Sequence, residues 1–188
     1  MTDSSTHIAE PPLARLLLSD RRLAPGWLLL RLAVGAVWLS AIMQKIFDRD
    51  GEWIGAHSGQ ALTRFAEEAM MKVLGEHFVV SDFYAGFLSK VVIPHATFFS
   101  WLLCLGELVV GIALLLGLFT GVAAFVGGFL NFSFLLAGAA SVNPLLFAAA
   151  TWLVLGWRVA GYIGLDRFVL PSSTTPSEAP NKCHGTDQ

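Results

Sequence analysis

The sequence predicts an all-α integral membrane protein: a four-helix bundle with an extracytoplasmic amphipathic segment between helices one and two. Three observations predict it. Hydrophobic residues make up 55% of the chain and charged residues only 14%, against roughly 25% charged in an ordinary soluble domain. Four apolar stretches, about Pro25 to Phe47, Thr97 to Phe119, Gly121 to Ala140 and Pro144 to Leu165, each approach the ~20 residues that span hydrocarbon. None of them alternates with period two, so in lipid the backbone must satisfy its own hydrogen bonds as helix, not as barrel.

Residues 1–24 form a polar, arginine-containing leader to the first helix, and no small-residue cleavage site separates the two, so this helix is expected to be retained. Arg15, Arg21 and Arg22 precede it, and Arg167 and Lys182 follow the fourth helix. The segment between helices one and two, about residues 48–94, carries an excess of carboxylates, Asp48, Asp50, Glu52, Glu67, Glu68, Glu76 and Asp82 against Arg49, Arg64, Lys72 and Lys90. The positive-inside rule then places both termini in the cytoplasm and this segment outside a cell (plasma) membrane crossed in multiple passes.

That segment is roughly 45 residues long, too many for a bare loop. Leu62, Phe65, Ala69, Met70, Val73 and Leu74 recur near helical spacing, so Gln60 to Leu74 reads as an amphipathic helix on the outer surface or capping the bundle. An apolar piece, Phe83 to Ile93, leads to Pro94, where helix two is expected to begin. Phe119-Thr120-Gly121 leaves helices two and three as a tight hairpin, and Asn143-Pro144 supplies an N-cap and first residue for helix four. The tail, residues 172–188, is rich in Ser, Thr and Pro and is expected to be disordered on the cytoplasmic side.

Other function classes are less favoured. A net charge of −2 gives no footprint for nucleic acid. Cys104 and Cys183 form neither a disulfide framework nor a Cys-x-x-Cys dithiol. Cys183 beside His184 is read as part of a solvated tail, so no metal or flavin is evident, and the absence of a second intramembrane histidine disfavours a bis-histidine haem. One half of the chain does not repeat the other, which lowers the prior for an inverted-repeat transporter.

The informative residues are the polar ones placed where lipid should be. Arg31, Gly35, Trp38, Ile42 and Lys45 share one stripe of helix one, which must face the bundle interior. Glu107 falls about midway along helix two. It is either a structural ion pair to Arg31 or Arg158, or a proton-accepting group beside a redox ligand. Asn131 sits in a groove of small residues on helix three, for hydrogen bonding across a helix interface or for ligand contact. Arg158 on helix four is expected at the depth of Arg31, and His95 joins Lys45 at an outer vestibule.

The runs Gly106 to Phe132, Leu135 to Phe147 and Trp157 to Pro171, with Arg31 to Ile46, resemble the DoxX/DoxD family of small four-helix membrane proteins. The resemblance covers about residues 26–171, making 25–171 one DoxX-like domain. Its motif positions are Arg31, Gly35, Lys45, Glu107, Gly111, Gly117, Asn131, Asn143, Arg158, Gly161 and Asp166. It implies membrane redox chemistry: the DoxD branch is the quinone-reducing membrane component of thiosulfate:quinone oxidoreductase and works with a second subunit. The expected function is therefore a subunit passing electrons from a sulfur donor such as thiosulfate to the quinone pool. Glu107 is the expected catalytic residue, and Arg31, Trp38, Lys45, His95, Asn131 and Arg158 are expected to bind quinone or substrate. Quinone enters as substrate, and membrane lipid and a partner subunit or second copy are the expected partners. A non-catalytic scaffold for soluble redox proteins and a small-solute transporter are the alternatives.

Overall fold

The computed structural model describes residues 17–18, 20–72 and 80–169. Most of the 1–24 leader and all of the 172–188 tail, with Cys183 and His184, lie outside the described residues. Regular structure among the described residues is entirely helical. Asp20 accepts a hydrogen bond from the Arg22 backbone N–H at 2.9 Å and opens a short turn, Arg21–Leu23, into α1 (Ala24–Ile46). The later elements are α2 (Gln60–Met71), α3 (Asp82–Leu116), α4 (Thr120–Leu136), α5 (Asn143–Leu155), α6 (Trp157–Ala160) and α7 (Asp166–Val169). By length and composition α1 with its leading turn and α3 are able to cross a bilayer; α4 and α5 are apolar but shorter.

The burial pattern is that of a protein solvated by hydrocarbon. α1 packs on α3, α3 on α4, α4 on α5, and α5 returns to α1. Small and polar residues fill the inside: Gly35 on α1, Ser100, Cys104, Glu107 and Gly111 on α3, and Ala124, Gly127, Gly128 and Asn131 on α4. Phe98, Trp101, Leu105, Val122, Phe125 and Phe129 point outward. Large apolar side chains over so much contiguous outer surface would not persist in water, whereas small residues inside let helix backbones approach. At Gly111 an added Cβ would lie 2.7 Å from Leu39, and at Gly35 it would lie 3.2 Å from the Gly111 carbonyl. These contacts set the register of α1 against α3. Arg31 stands level with Gly117, and Lys45 stands level with Glu107.

Several sequence expectations need correction. The helical run that holds helix two reaches back to Asp82, while its regular α-helical span, Ala96–Leu116, opens just after Pro94 as expected. A wide π-type turn at Leu88–Val92 and a tight turn at Ile93–His95 absorb the proline's missing N–H and its ring. The fourth apolar run is not one helix to Leu165. It breaks at Gly156, where a Cβ would lie 2.6 Å from the Trp27 ring, so the indole occupies the space of a side chain. Asn143 is the first residue of α5, not its side-chain cap, and its amide donates to the Ala139 carbonyl at 2.7 Å, closing the α4–α5 turn.

The amphipathic segment is a cap and does not stand apart. Ala61, Leu62, Ala66 and Ala69 of α2 are buried, and Leu62, Ala66 and Ala69 share a small core with Val80, Leu88, Val92 and Ala137. Gly59, at φ +96°, precedes α2; a Cβ there would meet the Thr97 backbone nitrogen at 2.6 Å, so the chain can touch α3 only as glycine. Lys72 donates to the Gly138 carbonyl at 3.3 Å from the other end of α2. Val73 and Leu74 lie outside the described residues.

Candidate functional site

Two polar centres occupy opposite ends of the bundle. At one end, Lys45 in the last turn of α1 forms an ion pair with Oε1 of Glu107 on α3. The Glu107 side chain is 1% exposed and that of Lys45 14%. The ammonium lies 4.7 Å from the ring centroid of Trp53 and 5.8 Å from that of Phe134. Trp53 is fixed from behind, since its carbonyl accepts from Ser100 Oγ at 2.7 Å and from Ser58 Oγ at 3.0 Å. This pair replaces the expected partnership of Glu107 with Arg31 or Arg158. Arg31 faces Gly117, ten residues along α3 from Glu107, about 15 Å at 1.5 Å per residue.

Lys45 opens on its other side to a cavity of about 570 Å³ between the end of α1, the following loop and α2, with Gln44, Asp48, Glu52, Trp53, Arg64, Phe65 and Glu68 in its wall. Arg64 grips Glu52 through both guanidinium nitrogens, one at 2.6 Å. That hydrogen bond holds the Glu52 carboxyl below and the Arg64 guanidinium above their ordinary pKa values. Asp48 accepts from the Glu52 N–H at 3.0 Å. Two cations and three carboxylates therefore line the wall, and Lys45 is already matched by Glu107 behind it.

Deeper in, Trp38 and Asn131 are 3% and 0% exposed. The Trp38 indole nitrogen lies where α4 has no side chain, at Gly127: a Cβ there would be 3.1 Å from Nε1 and 3.1 Å from Val110. Asn131 does not make the expected hydrogen bond across the interface. Both its amide atoms, Trp38 Nε1 and Glu107 Oε2 have no hydrogen-bond partner among the described residues.

At the opposite end Arg31, 2% exposed, donates to the carbonyls of Ala160 at 3.1 Å and Ile163 at 2.8 Å. Its guanidinium fills the space beside Gly117 (φ +66°) and Gly164. Buried Asp166 accepts from the Thr120 N–H at 3.0 Å, capping α4 from a distance, while its own N–H donates to the Gly117 carbonyl at 2.8 Å. Arg31 therefore ties the α3–α4 hairpin to the chain end after α6. Arg158 does not share this centre: it is exposed and lies 5.5 Å from the Trp157 ring centroid. His95 is also exposed, bonded through Nδ1 to the Val91 carbonyl at 3.1 Å and absent from the cavity wall.

Of the site residues named from sequence, Glu107, Lys45, Trp38 and Asn131 lie toward one end of the bundle; Trp53 and the Glu52–Arg64 pair, which adjoin them, were not among those named. The available signal was a lone tryptophan amid polar loop residues, with an arginine a few turns away. No curated protein and no solved structure matches the chain. The DoxX family model matches residues 26–156, which include the Lys45–Glu107 pair, Trp53, Trp38 and Asn131 and stop short of Arg158 and Asp166. With that match over most of its length, and helices whose outer faces are apolar, the chain is a membrane protein that belongs to the DoxX family.

Proposed function

We propose that this chain crosses the membrane four times, with both termini in the cytoplasm, and serves as the membrane subunit of a redox complex that delivers electrons to quinone. Exposed Arg21, Arg22 and Arg167, close to the helix ends on the Arg31 side, support that orientation. One observation carries the redox reading: Lys45, paired with buried Glu107 behind it, lines a polar cavity of about 570 Å³ that also holds Trp53 and Phe65, within the size range of small-molecule sites. A quinone head group accepts hydrogen bonds as the oxidised form and needs protons on reduction. In this reading Lys45 donates a hydrogen bond to a ring oxygen, and Glu107, a carboxylate in the pair, accepts a proton and passes it on after the electrons arrive.

The cavity wall fits a neutral head group better than a free anion. Lys45 and Glu52 are each neutralised by a partner, and Asp48 and Glu68 would repel thiosulfate there. A sulfur donor is therefore expected to react on a partner subunit, which also supplies the electron-carrying cofactor. The transporter alternative is weakened by the Arg31 centre, which closes the far end of the bundle with a guanidinium held by two carbonyls.

The test uses the purified chain in nanodiscs, titrated with a short-chain water-soluble quinone and followed by quenching of tryptophan emission. Saturable quenching is expected, mostly lost in Trp53→Phe and weakened in Glu107→Gln. Quenching that never saturates, or that is the same in all three proteins, overturns the quinone site.

A further inference from the structure

Four buried polar atoms on three helices share one region: Trp38 Nε1, Glu107 Oε2 and the two amide atoms of Asn131, all without partners among the described residues. The packing shows why they belong together. Trp38 Nε1, Val110 and the open face of Gly127 meet at one level. One turn toward the cavity from Val110 is Glu107, and one turn from Gly127 in the same direction is Asn131. Beyond these lie Lys45 and Phe134, again in contact. Glu107 and Asn131 therefore occupy a layer closed by Trp38 on one side and by Lys45 on the other.

A buried polar group without a partner bears the full penalty of its lost hydration, and four in one layer is not a tolerable accident of packing. Between them they offer two donors, the indole N–H and the amide NH₂, and two acceptors, a carboxylate oxygen and an amide oxygen. That set matches what an enclosed water requires, two to four polar partners in a small space. Gly127 lets the Trp38 indole nitrogen approach α4, a Cβ there lying 3.1 Å from it.

We propose that Trp38, Glu107 and Asn131 form an internal binding site for one or two water molecules, directly behind the Lys45–Glu107 pair. The site gives Glu107 two faces. Oε1 meets the ammonium next to the outer cavity, and Oε2 meets the water, so a proton arriving at the carboxylate has a second station inside the bundle. The site deepens the quinone reading by supplying a proton reservoir, yet its occupancy by water does not require quinone to bind.

The experiment is NMR of the full chain in nanodiscs with ¹⁵N-labelled tryptophan, the Trp38 indole signal being assigned by its loss in Trp38→Phe. A cross-peak from the Trp38 indole N–H to water is expected, although the ring is 3% exposed. Asn131→Leu should abolish it by removing two partners and filling the space. Gly127→Ala, whose new methyl would crowd the indole nitrogen, should weaken it independently should the leucine variant not fold. A wild-type indole with no water cross-peak overturns the proposal, as does a cross-peak that neither substitution changes. Failure of quinone to quench Trp53 in the same nanodiscs would leave this result standing, so the two readings fail separately.

Discussion

The Lys45–Glu107 pair makes a sharp energetic prediction, because its two members differ in access to water. Lys45→Met leaves the Glu107 carboxylate, 1% exposed, without its counter-charge, and breaking a buried pair from that side costs about 3–5 kcal/mol. Glu107→Leu leaves an ammonium that is 14% exposed and borders a cavity containing Asp48, Glu52 and Glu68. Lys45 can turn toward those carboxylates, so the loss should be smaller, about 1–2 kcal/mol, near the low end for an unsatisfied polar group. Replacing both by apolar residues removes the charges together, and the Lys45→Met/Glu107→Leu protein should lie within about 1 kcal/mol of wild type. The coupling between the sites is then about 3 kcal/mol or more, at the top of the range for contacting residues. Unfolding in mixed micelles by increasing dodecyl sulfate, followed by far-ultraviolet circular dichroism, measures all four proteins. Additivity of the two single variants within about 0.5 kcal/mol would show that the pair is not energetically coupled and would remove the basis for placing a proton-exchanging group there.

Gly117→Ala should be among the most damaging single substitutions, losing about 3 kcal/mol: it combines a left-handed backbone (φ +66°) with a methyl in the space of the Arg31 guanidinium, and its melting temperature in detergent reads the loss. Arg31→Lys keeps the charge but cannot reach the carbonyls of both Ala160 and Ile163; a loss of about 2 kcal/mol is expected in the same assay, and an unchanged protein would mean that one of those bonds is dispensable. The Glu52 carboxyl is held below its ordinary pKa by Arg64. Its contribution to stability is therefore present above the unfolded value and disappears as pH falls through the folded one, beneath the ordinary glutamate value of about 4.3. The contribution is small for an exposed pair and weaker still in high salt; a melting profile between pH 6 and 3, about the range of such titrations, should flatten in Arg64→Gln.

Much of the helical framework was legible because lipid leaves few choices. The α1 stripe of Arg31, Gly35, Trp38, Ile42 and Lys45 follows from helical spacing alone, and all but Lys45, which is half-buried, lie in the interior. What sequence periodicity does not carry is register. It placed Glu107 midway along its helix, but only the close contacts of Gly35, Leu39 and Gly111 determine that Lys45 rather than Arg31 reaches it. Pro94 does mark the start of the regular span Ala96–Leu116, but periodicity did not show that a π-type turn and a tight turn join it to the helical piece before it. Gly156 looked like one small residue in an apolar run, and its meaning depends on Trp27, more than a hundred residues away. The cavity was hidden because its wall comes from a polar loop and α2, where charge in sequence reads only as solvation.

The bend in α3 has a consequence for the mouth of the bundle. Thirty-five residues of straight helix would extend about 50 Å, yet Tyr84, near the start, donates its hydroxyl to the Ser133 carbonyl of α4 at 2.9 Å, next to Phe134 and the ammonium it faces. The turns over Leu88–His95 therefore fold the first part of α3 back across the bundle, where Leu88 and Val92 pack with α2. A substitution that straightened those turns would lift this roof from the end that holds the ammonium, leaving the helix below it in place.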